Sequence, residues 1–324
     1  MQQYLSMTKQ ESPFPLTFVE RKKAFLSKYK SQGGKNKYKR YIGSPLRYAG
    51  GKSLAVGFII ERFPDNIKRL VSPFLGGGSV EIACSVELGL PVIAYDIFNL
   101  LINYWDIQIK NPEELYKRLL KFKPNREEFS RVKNILKFHW EGKKKIRSKY
   151  DLAAIYYFNH NTSYGPHFLG SQSSVYLQQE RYQTIIEKVR NLRINNMQVG
   201  CVSFEKIMTK YKNDFLYCDP PYYLEGDSKT FIGMYPHRNF PIHHKNFDHE
   251  GLKDFLMKHR GGFVLSYNDC STIKEWYKDF NKIAPSWQYT FSQGDTRIGE
   301  NRLKNSNGSY IKKSHELIMW KSPN

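Results

Sequence analysis

The stretch Arg69-Leu70-Val71-Ser72-Pro73-Phe74, followed by Leu75-Gly76-Gly77-Gly78-Ser79, decides the fold. Its apolar centre reads as a buried strand, and the glycines after it read as a tight turn. Val80 to Leu88 then carries helical spacing and stops at Gly89, and Pro91-Val92-Ile93-Ala94-Tyr95-Asp96 is a second strand. Strand, glycine turn, helix and strand make a βαβ unit, and with it a parallel sheet covered on both faces.

The alternation resumes downstream at Gln198-Val199-Gly200-Cys201-Val202 and Phe215-Leu216-Tyr217-Cys218. A helix follows around Asp248 to His259, then a strand at Gly262-Phe263-Val264-Leu265-Ser266-Tyr267, and Glu316-Leu317-Ile318-Met319-Trp320 closes the chain as a last strand. Between Asn111 and about Asn196 the apolar spacing is helical instead: Leu115, Leu119 and Phe122 share one face, as do Ile185, Ile186, Val189 and Leu192. Within that block, Asn159-His160-Asn161-Thr162-Ser163-Tyr164-Gly165-Pro166 is polar and turn-rich, and reads as a loop or hairpin. The expected fold is therefore α/β, a Rossmann-like sheet with helices on both faces plus an inserted, mostly helical block. The segments are a basic extension over 1–43, a catalytic unit of 44–110 and 197–324, and an insert over 111–196.

Fifty-one Lys and Arg against 30 Asp and Glu give the 324 residues a formal charge of +21. Such a surplus makes the folded chain repel itself, so it points to a polyanionic partner. Hydrophobic residues at 40% exclude a disordered chain. No apolar run reaches the ~18 residues of a membrane span, and Glu11, Glu20 and Arg21 to Lys23 break up any signal-peptide core. The four cysteines are widely separated and form no C-x-x-C pair, which suits a reducing cytoplasm. Residues 1–43 carry ten Lys and Arg against two Glu. Apart from a short helix near Phe18 to Tyr29 they read either as an arm that tracks phosphates or as a solvated tail.

Two phosphate-binding readings fail on spacing. Gly50-Gly51-Lys52-Ser53 resembles the end of a nucleoside-triphosphate loop, but that motif needs glycine where Leu46 stands. Gly76-Gly77-Gly78 resembles a dinucleotide fingerprint, but its third glycine would fall at Glu81. What is left is a glycine turn after the first strand with Asp96 ending the second. That pair can take a nucleoside, with backbone at close approach and a carboxylate for two ribose hydroxyls, and it suits S-adenosylmethionine; a glycine turn with an unrelated Asp is the plainer alternative.

Asp219-Pro220-Pro221-Tyr222 directly follows the Phe215 to Cys218 strand, at the sheet edge where open α/β sheets bind ligands. An exocyclic amine conjugated with a base is a poor nucleophile. Asp219 and the Pro220 carbonyl can accept its two N–H bonds and turn its lone pair toward a methyl donor, while two prolines stiffen the turn. Tyr222 offers a face on which an extruded base stacks.

These motifs and their order resemble the Dam-type (D12 class, α arrangement) DNA adenine-N6 methyltransferases, over nearly everything from Ser44 to Trp320. Pro45-Leu46-Arg47-Tyr48-Ala49-Gly50-Gly51-Lys52 is similar to the family's opening motif, which assigns Tyr48 and Lys52 to S-adenosylmethionine. Phe74, Gly76, Gly78 and Ser79 fall on its cofactor loop, Asp96 on its ribose-binding acid, and Asp219 to Tyr222 on its catalytic motif, with Asp219 also beside the cofactor. The resemblance implies transfer of a methyl group to N6 of a flipped adenine in double-stranded DNA, with no metal, in a DNA-associated cytoplasmic enzyme. A partner restriction nuclease is compatible with it, and the insert becomes the target-recognition domain. Ser203-Phe204 stands where the family usually carries Asp-Phe, leaving Phe204 to pack on the cofactor adenine. The insert lacks the Asn-Gly and basic hairpin of GATC-specific members, so no recognition sequence carries over. Two alternatives keep the residues: another amino acceptor (cytosine N4, an RNA base or a protein glutamine), or a nucleic-acid-binding protein with a dead site. The histidines, including His243-His244 and His249, have no ligand spacing beside them and read as packing or surface residues, and Ser266-Tyr267-Asn268 ends a strand near the same edge.

Overall fold

The computed structural model describes residues 16–32, 37–48, 50–166, 168–223, 247–285 and 316–323. Ala49, His243 and His244 lie outside the described residues, as do residues 1–15 and 33–36.

The first strand, β1 (Leu70–Ser72), leads through the glycine turn into α3 (Ser79–Ile82), which continues as a π-helical turn over Ala83–Glu87 before β2 (Val92–Asp96). Gly89, at φ 65, ends that turn. The remaining strands are β3 (Met197–Cys201), β4 (Phe215–Cys218), β5 (Phe263–Asn268), β6 (Asn281–Ile283) and β7 (Glu316–Lys321). They form a seven-stranded sheet in the order β3-β2-β1-β4-β5-β7-β6. From β3 to β5 neighbouring strands are parallel, and β7 runs antiparallel between β5 and β6. Parallel strands need crossover connections, and the helices α4 (Asn99–Lys110) and α9 (Phe204–Lys210) supply two of them.

The period of two along the strands sorts side chains into two cores. Leu70, Val92, Phe215, Tyr217, Val264 and Ile318 face one side. Val71, Leu216, Cys218, Leu265, Tyr267 and Met319 face the other, against α9, α10 (His249–Lys258) and α11 (Ser271–Trp276). The expected α/β sheet with helices on both faces is present, its parallel strands extended by the antiparallel β7.

Residues 111–196 are helical, as the spacing indicated: α5 (Pro112–Leu119), α6 (Arg126–Trp140), α7 (Lys149–Thr162) and α8 (Gln179–Asn191). Asn111, Asn125 and Ser148 cap the first three by accepting the N–H of Glu114, Glu128 and Asp151. Trp105 of α4 shares one continuous core with Tyr116, Phe129, Tyr157 and Tyr182 of these helices. One sequence expectation is corrected here. Asn159 to Thr162 is not loop but the buried last turn of α7, and the hairpin-like bridge starts only at Ser163, paired with Gln172. Polar residues run in that turn because the Thr162 and Ser163 hydroxyls donate to the Phe158 and Asn159 carbonyls at 2.6 Å. Arg47 completes it, donating from its guanidinium to the Asn161 carbonyl at 2.6 Å.

The start of the chain also departs from an arm or a tail. The helix α1 (Phe18–Tyr29) begins with a capping box between Thr17 and Glu20 and packs on α2 (Val56–Glu61). Phe25, Tyr38 and Tyr41 are buried there. A Cβ on Gly57 would lie 2.4 Å from the Tyr38 ring, so glycine is what lets that ring seat on α2. Lys22 is buried and bonded to Asp65 at 2.8 Å, while Lys28 and Lys37 pair with Glu87 and Glu61. Part of the basic surplus of this segment is therefore spent inside the fold.

Candidate functional site at the carboxyl edge of the sheet

The loop after β1 is shaped by groups that converge on its glycines. The Gly76 N–H donates to Asp96 Oδ2 at 3.0 Å, and the Phe98 N–H donates to Asp96 Oδ1 at 3.0 Å. Asp96, at the end of β2, thus orders the turn as well as standing where a ribose acceptor is expected. Burial raises its carboxyl from the ordinary value, and the N–H groups of Phe98 and Gly76 oppose the rise. Gly78 has φ 67, and a Cβ there would meet the Trp105 ring at 3.0 Å. Ser79 opens α3 immediately after it.

The opening segment closes over this loop from the other side. Ser44 Oγ donates to the Gly77 carbonyl at 2.7 Å. A Cβ on Gly77 would lie 2.6 Å from Tyr48 Cβ, and one on Gly76 would lie 3.1 Å from the Tyr48 ring. Tyr48 stacks on His160 with centroids 5.7 Å apart, and the Arg47 guanidinium lies 3.5 Å over the Tyr176 ring. The opening segment therefore ties the glycine loop to α7 and the chain following it. Phe74, Phe204 and Phe247 form an aromatic cluster beside the loop, with Phe74 5.7 Å from each of the other two. The sequence indicated Phe74 and Phe204 but not Phe247.

At the end of β4, Lys52 Nζ lies 2.7 Å from Asp219 Oδ1 and donates to the Gly50 carbonyl at 2.9 Å. The same ammonium is 3.7 Å from Glu316 Oε1 and 4.9 Å over the Tyr222 ring. Tyr222 donates its hydroxyl to Glu316 Oε2. Burial works against the charge on Lys52, yet Asp219 and Glu316 together hold its pKa above the ordinary value. Burial pushes the Asp219 carboxyl up, and the Lys52 ammonium opposes that. Pro220 is buried and Pro221 half-buried, and the Tyr223 carbonyl just after the motif accepts from Asn268 Nδ2 at 2.6 Å. Lys52, expected at the cofactor, faces the carboxylate of the Asp219 motif in this structure.

Glu316, Trp105 and Glu81 are residues that the sequence reading passed over. Glu316 opens β7 opposite Asn268 of β5 and is fully buried. Its one sequence signal is an acid at the head of an apolar strand. Glu81 is buried on α3, and its Oε1 accepts from Ser72 Oγ at 2.6 Å. Burial pushes its carboxyl up to about 8 against that hydrogen bond, with Asp219 and Asp96 adding to the rise. Carboxyl groups from β2, α3, β4 and β7 thus gather at one edge of a chain whose formal charge is +21. Asp96, Asp219 and Glu316 outnumber the Lys52 ammonium there, which favours a ligand carrying positive charge. His249 packs inside, its Nδ1 bonded to the Tyr267 hydroxyl. Among the described residues no group of three or more His, Cys, Asp or Glu is placed to hold a metal ion, and no helix is long and apolar enough to cross a membrane.

Residues 48–291 match the model of the D12 class N6 adenine-specific DNA methyltransferase family. The chain is 28% identical over 301 residues to the type II methyltransferase M.FokI of Planomicrobium okeanokoites, covering 85% of this chain and 44% of that protein. It is 24% identical over 295 residues to the modification methylase StsI of Streptococcus sanguinis, covering 87% of this chain and 43% of that one. The matches thus span less than half the length of these two curated relatives.

Proposed function

Because the chain belongs to the D12 class N6 adenine-specific DNA methyltransferase family, we propose that it moves a methyl group from S-adenosylmethionine to N6 of an adenine turned out of double-stranded DNA. The observation that carries the reading is Asp219, held at the sheet edge 2.7 Å from the buried ammonium of Lys52 and beside the Tyr222 ring.

The residues fit the cofactor. The glycine loop lets Tyr48 lie directly on its backbone, which leaves that ring beside the loop for a ligand to meet. The Phe74, Phe204 and Phe247 cluster offers an apolar surface for an adenine ring, and Asp96 has further lone pairs for ribose hydroxyls. The gathered carboxyl groups suit a net positive ligand. When bound, S-adenosylmethionine supplies a methyl group made electrophilic by the sulfonium.

Asp219 and the Pro220 carbonyl accept the two N–H bonds of the exocyclic amine and free its lone pair from the ring. With the cofactor bound, that lone pair would take the methyl group from the sulfonium, and the Asp219 carboxylate and water would accept the proton that N6 then loses. Tyr222 stacks on the extruded base, at an unstacking cost of a few kcal/mol. Residues 111–196 read the target, and the exposed run Lys143, Lys144 and Lys145 contributes to phosphate affinity. Since two relatives are named a type II methyltransferase and a modification methylase, the reading extends to a cytoplasmic enzyme that protects DNA from a partner nuclease.

Labelled-methyl transfer to DNA, RNA and protein in parallel tests this, with modification-sensitive sequencing to identify base and site. Label on adenine N6 of duplex DNA is the expected result, and Asp219→Ala should lose it while still binding cofactor by calorimetry. Label on cytosine, RNA or protein, or an active Asp219→Ala, overturns the reading.

A further inference from the structure

We infer that Glu316 is a positioning residue of the methyl-transfer site: it takes over the Lys52 ammonium when the target amine engages Asp219. This rests on the function proposed above, and adds to it a group far along the chain from the Asp219 motif.

Glu316 is fully buried at the head of a strand whose next three residues are Leu317, Ile318 and Met319. A carboxylate there loses its hydration, and an apolar residue would pack in its place without that cost. Its two oxygens are directed at two members of the site, Oε2 at the Tyr222 hydroxyl and Oε1 at Lys52 Nζ, 3.7 Å away.

Lys52 is equally buried, and its short contact is with Asp219 at 2.7 Å. That contact competes with the adenine amine for the same carboxylate and weakens it as an acceptor. A buried ammonium cannot give up a carboxylate without a second one in reach, because a stranded charge is strongly disfavoured. Glu316 Oε1 is that second carboxylate. A movement of Nζ of about 1 Å, the difference between the two distances, exchanges the short contact from Asp219 to Glu316. The Gly50 carbonyl, which accepts from Nζ at 2.9 Å, gives the head a fixed pivot. Through Tyr222, the same residue fixes the ring on which the base stacks.

The test uses the full chain and the DNA site found by sequencing. Glu316→Gln keeps the shape and an acceptor for Tyr222 but removes the charge. Its kcat should fall on the order of a hundredfold, while the cofactor Kd and the KM for DNA stay within about twofold. Glu316→Asp, which keeps the charge, should recover part of the loss. A kcat for Glu316→Gln within twofold of the unsubstituted enzyme, or a loss explained by weaker cofactor binding, overturns the inference. A structure of the unsubstituted enzyme with S-adenosylhomocysteine and that duplex tests it without any variant. Lys52 Nζ should then lie closer to Glu316 than to Asp219; Nζ still on Asp219 overturns the exchange. If the unsubstituted enzyme methylates no DNA adenine, the failure belongs to the proposed function, which is a separate outcome.

Discussion

Trp105 donates its indole N–H to the carbonyl of Gly76 at 3.0 Å, while the N–H of the same glycine donates to Asp96. Both sides of one residue in the glycine loop are thus tied to other elements, one to α4 and one to the end of β2. Trp105→Phe keeps a ring in the fully buried site but leaves the carbonyl without this donor. The expected cost is about 1–3 kcal/mol of stability by denaturant unfolding. Cofactor affinity by calorimetry should fall by roughly tenfold, as each 1.4 kcal/mol of lost order does.

Gly77 makes a sharper steric test. A Cβ there would overlap Tyr48 Cβ at 2.6 Å, both of them close to backbone and unable to swing away. Gly77→Ala should therefore displace the opening segment and weaken cofactor binding by more than tenfold. Gly142→Ala, where nothing lies within 4 Å, is the matched control. It carries the strain of φ 72 but should leave binding unchanged.

Most of the sheet was legible because alternating residues such as Leu70 and Val71, or Leu216 and Tyr217, must face opposite cores, and that leaves a mark in a short window of sequence. Asp219 to Tyr222 was legible for a related reason, since a ligand edge follows directly from the end of a buried strand. Glu316 was not, because what makes it part of the site is the antiparallel pairing of β7 beside β5, a contact that no local pattern records. Asn159 to Thr162 misled because polar residues usually mark a turn, whereas here the Thr162 hydroxyl bonds back to the helix and Arg47 bonds the Asn161 carbonyl. The helix α1 was legible near the start of the chain, but the charge around it hides the apolar side that carries Phe25 and docks it on the fold.

That docking has a measurable consequence. Phe25 is buried against Tyr29 and Tyr41, with ring centroids 4.7 and 5.9 Å away. Phe25→Ala should cost about 3–5 kcal/mol in urea unfolding. Deleting residues 1–40 should lower the unfolding midpoint further, since it also removes Tyr38 from α2. An arm that tracks phosphates would change only the salt dependence of DNA binding and a solvated tail would change neither, so an unchanged midpoint would restore those readings.

Glu81 predicts a pH dependence of stability. Its carboxyl is lifted from 4.5 to about 8 in the folded chain, by burial first. A folded value above the unfolded one means that its contribution is complete below about pH 4.5 and is lost as pH rises toward 8. Within that window the stability of the native chain, measured against Glu81→Gln, should fall by about 1.4 kcal/mol per pH unit. Urea unfolding of both proteins at pH 5, 6 and 7 checks the slope. A constant difference across the three would mean that Glu81 is ionised throughout.

The Lys52 and Asp219 pair predicts a second pH dependence, this time in the reaction. Asp219 accepts the amine N–H bonds only as a carboxylate, so methyl transfer should fail on the acid side as that group takes up a proton. Burial places the failure at higher pH than an ordinary aspartate would, and Lys52 limits the displacement. Lys52→Met removes the opposing charge and leaves a chain of similar length. The acid limb of kcat at saturating cofactor should then move to higher pH, so that the variant loses more activity at pH 6 than at pH 8. A loss equal at both values would assign Lys52 to cofactor binding instead, because a missing ligand contact weakens the enzyme without moving the protonation of Asp219.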